Sequence, residues 1–163
     1  MAGNLTIKIS SFKNGDFIPP KYTCDSDNIN PMIEFLNIPE NTKSLLLLVD
    51  DPDASSGGVW NHWLMWNIEP KTHYIPEDSI PFGAKQGVTS FNKQKYNGPC
   101  PPRGSGPHRY FFKVYALDTM LDLPEGGNKA DAEKAMAGHI IEQAEFMGLY
   151  SRKESPVNTK SEL

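Results

Sequence analysis

The apolar residues of this chain fall in short segments that are separated by prolines and glycines. Fourteen prolines and thirteen glycines are spread along its 163 residues instead of being clustered. This spacing is typical of an all-β sandwich or barrel, and it disfavours a helical bundle or a βαβ array. We predict strands at 5–10, 44–50, 60–68 and 108–117.

The segment 45–49 is the strongest strand prediction. Its sequence, four leucines followed by a valine, has no polar alternation, which predicts a central strand that is buried on both faces. The segment 110–117 is nearly as apolar and is rich in aromatic residues. These two segments are therefore predicted to form the centre of the core.

One long helix is predicted, at 129–147. Asn128 is in position to act as its N-cap, Asp131 places a carboxylate in the first turn, and Gly148 is well placed to end it. The residues that follow helical spacing are Ala132, Ala135, Met136, His139, Ile140 and Gln143.

Length and charge set the class of protein. One domain is expected, at 1–152, and the polar segment 153–163, which lacks a periodic pattern, is predicted to be a mobile tail. The net charge of -4 gives no attraction to nucleic acid or to anionic lipid. We therefore expect no nucleic-acid partner, and any bound anion must be held locally in a pocket.

The first residues and the two cysteines bear on location. The segment 1–6 contains no cationic stretch leading into an apolar one, and the longest apolar run, 45–49, is too short to span a bilayer. We therefore expect a soluble, cytoplasmic protein without a transmembrane segment. Cys24 and Cys100 are consistent with free thiols in a reducing compartment, although their number alone does not decide whether they pair.

Two polar stretches next to the predicted strands contain candidate site residues. Asp50-Asp51-Pro52-Asp53 directly follows the buried run and forms either a solvated turn or the rim of a cavity. In the segment 60–66, strand alternation places Trp60, His62, Leu64 and Trp66 on one face and Asn61, Trp63 and Met65 on the other. A lone histidine on an apolar face is more often a satisfied core residue than a ligand.

A third stretch, the proline- and glycine-rich loop 96–107, leads into the strand at 108–117. Strand alternation delivers His108 and Tyr110 to the same face, and such a rigid loop favours a shaped binding site. Two imidazoles and a phenol can donate hydrogen bonds to an anion, and Asp51 can accept from a histidine and fix its tautomer. We expect anion affinity to rise as the pH falls through the histidine range.

Four motifs, in this order and with compatible spacing, resemble those of phosphatidylethanolamine-binding proteins. They are Asp51-Pro52-Asp53-Ala54, Trp60-x-His62, Gly98-Pro99-Cys100-Pro101-Pro102-x-Gly104 and His108-Arg109-Tyr110. Further segments at 22–25, 115–118 and 144–152 resemble the bacterial and archaeal, Raf-kinase-inhibitor-like branch of the family. The match runs from about residue 5 to residue 152.

The resemblance implies a mainly β fold, in which two antiparallel sheets pack as a Greek-key-like sandwich with peripheral helices; the helix pattern adds a C-terminal helix. It also implies a cavity at one end that accepts phosphate, sulfate, acetate or a phosphorylethanolamine head group, without a metal or another cofactor. Carried over residue by residue, the cavity would be lined by Asp51, Trp60, His62, Pro102, His108 and Tyr110. Asp53 would support the turn, and the backbone around Gly98 and Cys100 would form a wall.

The chain departs from the family pattern before Trp60. The segment 55–59 is short and lacks the tyrosine that reaches the anion in plant and animal proteins, so we expect a more open pocket. Ser90 stands where the family tends to have Asp. Members of the family regulate kinases or inhibit proteases, and the bacterial branch often forms homodimers. A kinase, a protease and a second copy of the chain are therefore the protein partners that the resemblance implies for a non-enzymatic binding protein.

Enzymatic alternatives stay open from the residues alone. Asp51, Asp53, His62 and His108 could bind zinc or manganese in a metal-dependent hydrolase, although the sequence has no His-x-His or His-Glu-x-x-His element. Cys100 beside His108 could be a thiol nucleophile, but a cysteine between two prolines is more simply a wall residue. A serine hydrolase is disfavoured because no Gly-x-Ser-x-Gly element is present.

Overall fold

The structure is a computed structural model that describes residues 4–153, and it is built mainly of β-strands. Within that range the chain forms eight strands, one α-helix and two short 3-10 turns. The strands are β1 (Thr6–Lys8), β2 (Ile33–Leu36), β3 (Ser44–Asp51), β4 (Trp60–Ile68), β5 (Tyr74–Ile75), β6 (Lys85–Gln86), β7 (His108–Leu117) and β8 (Ile140–Tyr150). The helix is α1 (Lys129–Met136), and the 3-10 turns are Pro20–Tyr22 and Pro70–Thr72.

The strands form two antiparallel sheets, as predicted. The small sheet has the order β1-β2-β5, and the large sheet has the order β6-β4-β3-β7-β8. The strands predicted at 60–68 and 108–117 agree with β4 and β7, and the one at 44–50 ends one residue early. The strand predicted at 5–10 is longer than β1.

The core lies on both faces of the large sheet. All eight residues of β3 are buried, because β4 and β7 flank it and side chains cover both of its faces. The predicted central strand is therefore confirmed. Leu47 and Phe112 pack toward the small sheet, whereas Leu48 and Trp66 pack on the other face, which α1 covers through Met136.

The helix predicted at 129–147 is correct only in its first half. Asn128 caps α1 in a capping box with Asp131, but α1 ends at Met136, and Gly138 turns the chain with a φ of +82°. The C-terminal element is therefore the strand β8, which pairs with β7. Gly148 lies inside β8, where an added Cβ would come within 2.6 Å of Phe12, so close packing explains this glycine.

Cys24 and Cys100 form a disulfide, with Cα atoms 5.4 Å apart. The number of cysteines left this pairing undecided, and the structure shows that neither thiol is free. The bond joins the chain that follows the turn Pro20–Tyr22 to the loop that precedes β7. Two hydrogen bonds support the same junction, from the Cys24 N–H to the Pro99 carbonyl at 3.1 Å and from the Tyr96 hydroxyl to the Tyr22 carbonyl at 2.7 Å.

Two further sequence predictions concern the whole chain. Across residues 4–153, no helix has the length and apolarity that crossing a bilayer requires. The predicted tail at 153–163 lies outside the described residues except for Lys153.

Candidate functional site

A cavity of about 310 Å³ opens at one end of the large sheet, where β3 ends and β4 and β7 begin. The three strands are neighbours and alternate in direction, so their ends bring distant parts of the sequence to one place. Seven of the nine predicted site residues line this cavity, namely Asp51, Trp60, His62, Cys100, Pro102, His108 and Tyr110. Asp53 and Gly98 lie outside it.

The two adjacent carboxylates at the end of β3 point to opposite faces of the sheet. Asp51 lines the cavity. Asp50 lies on the other face, where it accepts from the Lys129 ammonium at 2.7 Å and from the Asn61 amide at 3.1 Å. Because successive side chains of a strand alternate, only one carboxylate of this pair reaches the site.

A β-bulge in β4 aims His62 into the cavity. Asp50 pairs with Asn61, whereas Val49 pairs with Trp63, so β4 has one extra residue between these two pairs. As a result, Trp60, His62 and Trp63 face the same side of the sheet. The alternation predicted for 60–66 is therefore wrong after His62, since Trp63 and Met65 share the face of Trp60 and Leu64 and Trp66 lie opposite.

His108 and Asp51 form a buried pair in the cavity wall. Nδ1 of His108 lies 2.8 Å from Oδ2 of Asp51, and both side chains are less than a tenth exposed. A carboxylate without a proton can only accept, so Nδ1 donates and Asp51 fixes the ring orientation. Nε2 of His108 is left facing Ser105, whose Oγ lies 3.4 Å away.

His62 is held by the backbone of the proline- and glycine-rich loop. Its Nδ1 lies 2.7 Å from the Asn97 carbonyl oxygen, which can only accept, so Nδ1 carries a hydrogen. The ring packs edge-on against Phe91 and Tyr110, with centroid distances of 5.1 and 5.2 Å. Burial lowers the pKa of His62 below its ordinary value, against the opposing effects of Asn97 and the Asp51 carboxylate. The ring is therefore neutral near pH 7.

Tyr110 contributes a phenol to the same wall, stacked against the ring of His108 at a centroid distance of 6.3 Å. Burial raises the pKa of Tyr110 well above its ordinary value, and the carboxylates of Asp51 and Asp53 raise it further. The hydroxyl therefore stays protonated and is available as a hydrogen-bond donor.

Asp53 and Gly98 act beside the cavity and not in its lining. The Asp53 carboxylate accepts three hydrogen bonds from Arg109, at 3.0 Å from the backbone N–H, 2.9 Å from Nε and 2.8 Å from Nη2. These bonds lower the pKa of Asp53 to about 2 and tie the turn after β3 to the start of β7. Gly98 donates to the Asn28 side chain at 2.8 Å and packs against the Tyr22 backbone.

Five further cavity residues were not predicted: Ala54, Ser55, Ser56, Phe91 and Pro101. The first three form the rim loop between β3 and β4, where the sequence predicted only an opening. Phe91 comes from the segment before the proline-rich loop, and it packs edge-on against Trp60 at 5.6 Å. Its neighbour Ser90 accepts from the Asn61 backbone N–H at 2.8 Å, which fastens this segment to β4. The weak periodicity of the segment gave no signal for either contact.

The metal-site alternative lacks a set of ligands. Its four residues do not converge, because Asp53 is paired with Arg109 outside the cavity. Within residues 4–153, no three His, Cys, Asp or Glu side chains are grouped so that they could hold a metal ion.

Comparison with known proteins identifies the family. A family model described as phosphatidylethanolamine-binding protein matches residues 8–151. The chain belongs to the phosphatidylethanolamine-binding protein family. A UPF0098 protein of the archaeon Pyrococcus horikoshii is 48% identical over 157 residues, which cover 91% of this chain and 78% of that protein.

Two solved structures of the family share the fold closely. A phosphatidylethanolamine-binding protein homologue of Chlamydia trachomatis has a TM-score of 0.87 and 38% identity, covering 92% of this chain and 99% of that one. YbcL of E. coli, a member of the mammalian PEBP family, has a TM-score of 0.87 and 30% identity, covering 93% and 100%. The resemblance drawn from the motifs is therefore confirmed, including the bacterial and archaeal branch.

Proposed function

We propose that this member of the phosphatidylethanolamine-binding protein family is a non-enzymatic binding protein whose cavity holds a phosphate-type anion or a phosphorylated head group. The observation that carries the proposal is the convergence of two imidazoles and one protonated phenol on a single wall, from His62, His108 and Tyr110. Tyr110 can donate to an oxyanion, His108 can donate once its Nε2 is protonated, and Nε2 of His62 can accept from a ligand that carries a proton. Asp51 orients the His108 ring.

The shape of the cavity supports a small ligand with an apolar or partly apolar remainder. Its volume of about 310 Å³ is at the lower end of the range of roughly 300–1,000 Å³ that small-molecule sites occupy. The lining is divided between the polar groups of the wall and the apolar side chains of Trp60, Phe91 and Pro102. This division suits a head group whose anionic end contacts the wall and whose remainder faces the rim.

The chemistry of the wall also supports binding without catalysis. Cys100 is bonded to Cys24 and therefore has no thiol to act as a nucleophile beside His108. The rim serines 55 and 56 line the cavity, and within residues 4–153 neither side chain has a hydrogen bond to a histidine. Ser105 does contact a histidine, with its Oγ 3.4 Å from Nε2 of His108, but its hydroxyl donates to the Gly106 carbonyl at 3.3 Å and the side chain lies outside the cavity lining.

Anion affinity is expected to rise as the pH falls, with His108 as the group that responds. His108 already donates from Nδ1 to Asp51, so a proton added at Nε2 supplies both a donor and a positive charge to the cavity. Sulfate is the probe for this effect because its charge stays constant over the histidine range. Equal sulfate affinity at about pH 5.5 and about pH 8 would contradict imidazolium as the donor.

The proposal is tested by calorimetric titration with inorganic phosphate and with phosphorylethanolamine. We expect binding by the wild type, a loss of at least about tenfold in His108→Ala, and no change in His139→Ala. His139 is the matched control because it lies outside the cavity, where its Nδ1 is 2.8 Å from the Asp118 carboxylate. If neither ligand binds up to millimolar concentration, the proposed ligand class is wrong.

The finer role, regulation of a kinase or a protease through protein binding, is part of the proposal. Its support in this chain is exposed apolar surface, since the Phe82 side chain is fully exposed and Met120 is 56% exposed. Inhibition assays against a protein kinase and a serine protease test it, with Phe82→Ser as the comparison. Light scattering on the purified protein tests the homodimer.

The cytoplasmic location also remains part of the proposal. A disulfide persists more readily in an oxidising compartment, so the Cys24–Cys100 bond bears on it directly. Alkylation of free thiols in cells before lysis shows whether the bond is formed where the protein works. A fully oxidised pair would contradict the cytoplasmic prediction.

A further inference from the structure

The polar wall of the cavity contains a hydrogen-bond acceptor, Nε2 of His62, which cannot bond to a fully deprotonated anion because such an anion has no donor. Nδ1 of His62 carries its hydrogen toward the Asn97 carbonyl, so in the neutral ring Nε2 presents a lone pair. Among residues 4–153, Nε2 has no hydrogen-bond partner, and the ring lines the cavity. An oxyanion without a proton would bring an oxygen lone pair against the lone pair of Nε2, and the two would repel each other.

The orientation of the His62 ring is fixed by its surroundings. Rotation that exchanged the two nitrogens would break the 2.7 Å bond to Asn97, and the ring is also wedged between Phe91 and Tyr110. The bulge in β4 sets the direction of the side chain. These contacts therefore fix the position that the acceptor occupies whenever the ring is neutral.

The groups that face His62 set its charge. β3 contributes the carboxylates of Asp51 and Asp50, which favour the protonated ring, and β7 contributes Tyr110 and His108. The loop before β7 contributes the Asn97 carbonyl, which also favours protonation. Burial has the largest effect and acts in the opposite direction, so the lone pair persists near neutral pH.

We propose that His62 is a specificity-determining residue that selects oxyanions carrying their own proton, such as the monoanion of a phosphate monoester or a phosphonate, over sulfate and sulfonates. The P–OH group of such a ligand donates to Nε2 of His62. Its charged oxygens accept from Tyr110 and from His108 when Nε2 of that ring is protonated. This inference rests on the proposed function, because it concerns the same cavity.

The sharpest test compares methylphosphonate with methanesulfonate at about pH 6.5, where we expect the His62 ring to be neutral. Below the second ionisation of the phosphonate, both ligands are monoanions of nearly the same shape, and they differ by the one proton. We expect methylphosphonate to bind the wild type about 10- to 100-fold more tightly, because the sulfonate leaves the buried acceptor unpaired. At about pH 9.5, well above the second ionisation of an alkylphosphonate, the ligand has lost its proton, and the preference should collapse.

The variant His62→Phe assigns the preference to this side chain. Phenylalanine keeps an aromatic ring between Phe91 and Tyr110 but has no acceptor. We expect the ratio of the two affinities to approach one in this variant, and His139→Phe, which makes the same change outside the cavity, to keep the wild-type ratio. Thermal unfolding of both variants shows whether each is folded under the titration conditions.

A measurement on the wild type keeps the proposal falsifiable if His62→Phe does not fold. Nitrogen chemical shifts of the imidazole rings report the tautomer and charge of His62 directly. We expect a neutral ring with hydrogen on Nδ1 between about pH 6 and pH 8, and an imidazolium or the opposite tautomer would overturn the proposal. Equal binding of the two ligands would overturn it and leave the anion site intact, whereas absence of any binding would remove both.

Discussion

Gly98 joins the fold to the candidate site, and replacing it with alanine should damage both. An alanine Cβ at this position would lie 2.7 Å from the Asn28 side-chain oxygen and 2.9 Å from the Thr23 Cα, and it would also clash with the Tyr22 carbonyl oxygen. Ordinary van der Waals contacts of a Cβ begin at 3.4 Å. Two of these three neighbours are backbone atoms, so a rotamer change cannot relieve the overlap.

The cost of Gly98→Ala follows from that geometry. The loop must move by several tenths of an ångström or more, and overpacking of this kind costs about 1–3 kcal/mol. The movement also carries Asn97, whose carbonyl accepts from Nδ1 of His62 at 2.7 Å. We therefore expect a lower free energy of unfolding together with weaker anion binding.

Urea denaturation measures the first effect, and calorimetric titration with phosphate measures the second. The matched control is Gly58→Ala in the rim loop, because a Cβ there meets no atom within 4 Å and the backbone φ is not positive. We expect this control to stay within about 0.5 kcal/mol of the wild type. A Gly98→Ala protein as stable as Gly58→Ala would refute the packing argument.

Three further changes test the core, the ion pair and the disulfide. Leu47→Ala removes a fully buried side chain and should cost about 2–5 kcal/mol in the free energy of unfolding measured with urea. Asp53, whose pKa is lowered from 3.8 to about 2 by Arg109, should stabilise the wild type relative to Asp53→Asn above about pH 4. This advantage should be lost as the pH falls through about 2, and an advantage that did not change with pH would contradict the pairing. Replacing both Cys24 and Cys100 by serine removes a cross-link between residues 76 apart and should lower the free energy of unfolding by about 2–4 kcal/mol. An unchanged urea midpoint would contradict this expectation.

The strands were predictable where burial alone decides the pattern. The segments that became β3, β4 and β7 are apolar enough to be identified without knowledge of their partners. The strand β8, which lies where the second half of the helix was predicted, could not be identified from the sequence. It contains glutamates, a glutamine and an alanine, which are uncommon in strands. Pairing with β7 along its length decides its conformation, and this long-range effect has no local signal.

The candidate site shows the same division between local and distant effects. Motif spacing and alternation were sufficient to place His108 and Tyr110 on one face, where the structure has them. Alternation was correct for Trp60 and His62 but failed from Trp63 onward, because the bulge in β4 depends on the register with β3. Phe91 was missed because its place in the cavity depends on Trp60 and His62, which are distant in sequence.

The rim loop between β3 and β4 is loosely packed at its two glycines, unlike the opposite wall of the cavity. Gly57 and Gly58 have open space around them, whereas the opposite wall is fixed by the disulfide and by the hydrogen bonds of the loop before β7. Insertions between β3 and β4 therefore change the size of the entrance without disturbing the strands that hold the polar groups. One framework can in this way offer entrances of different size while keeping the same polar groups in the cavity.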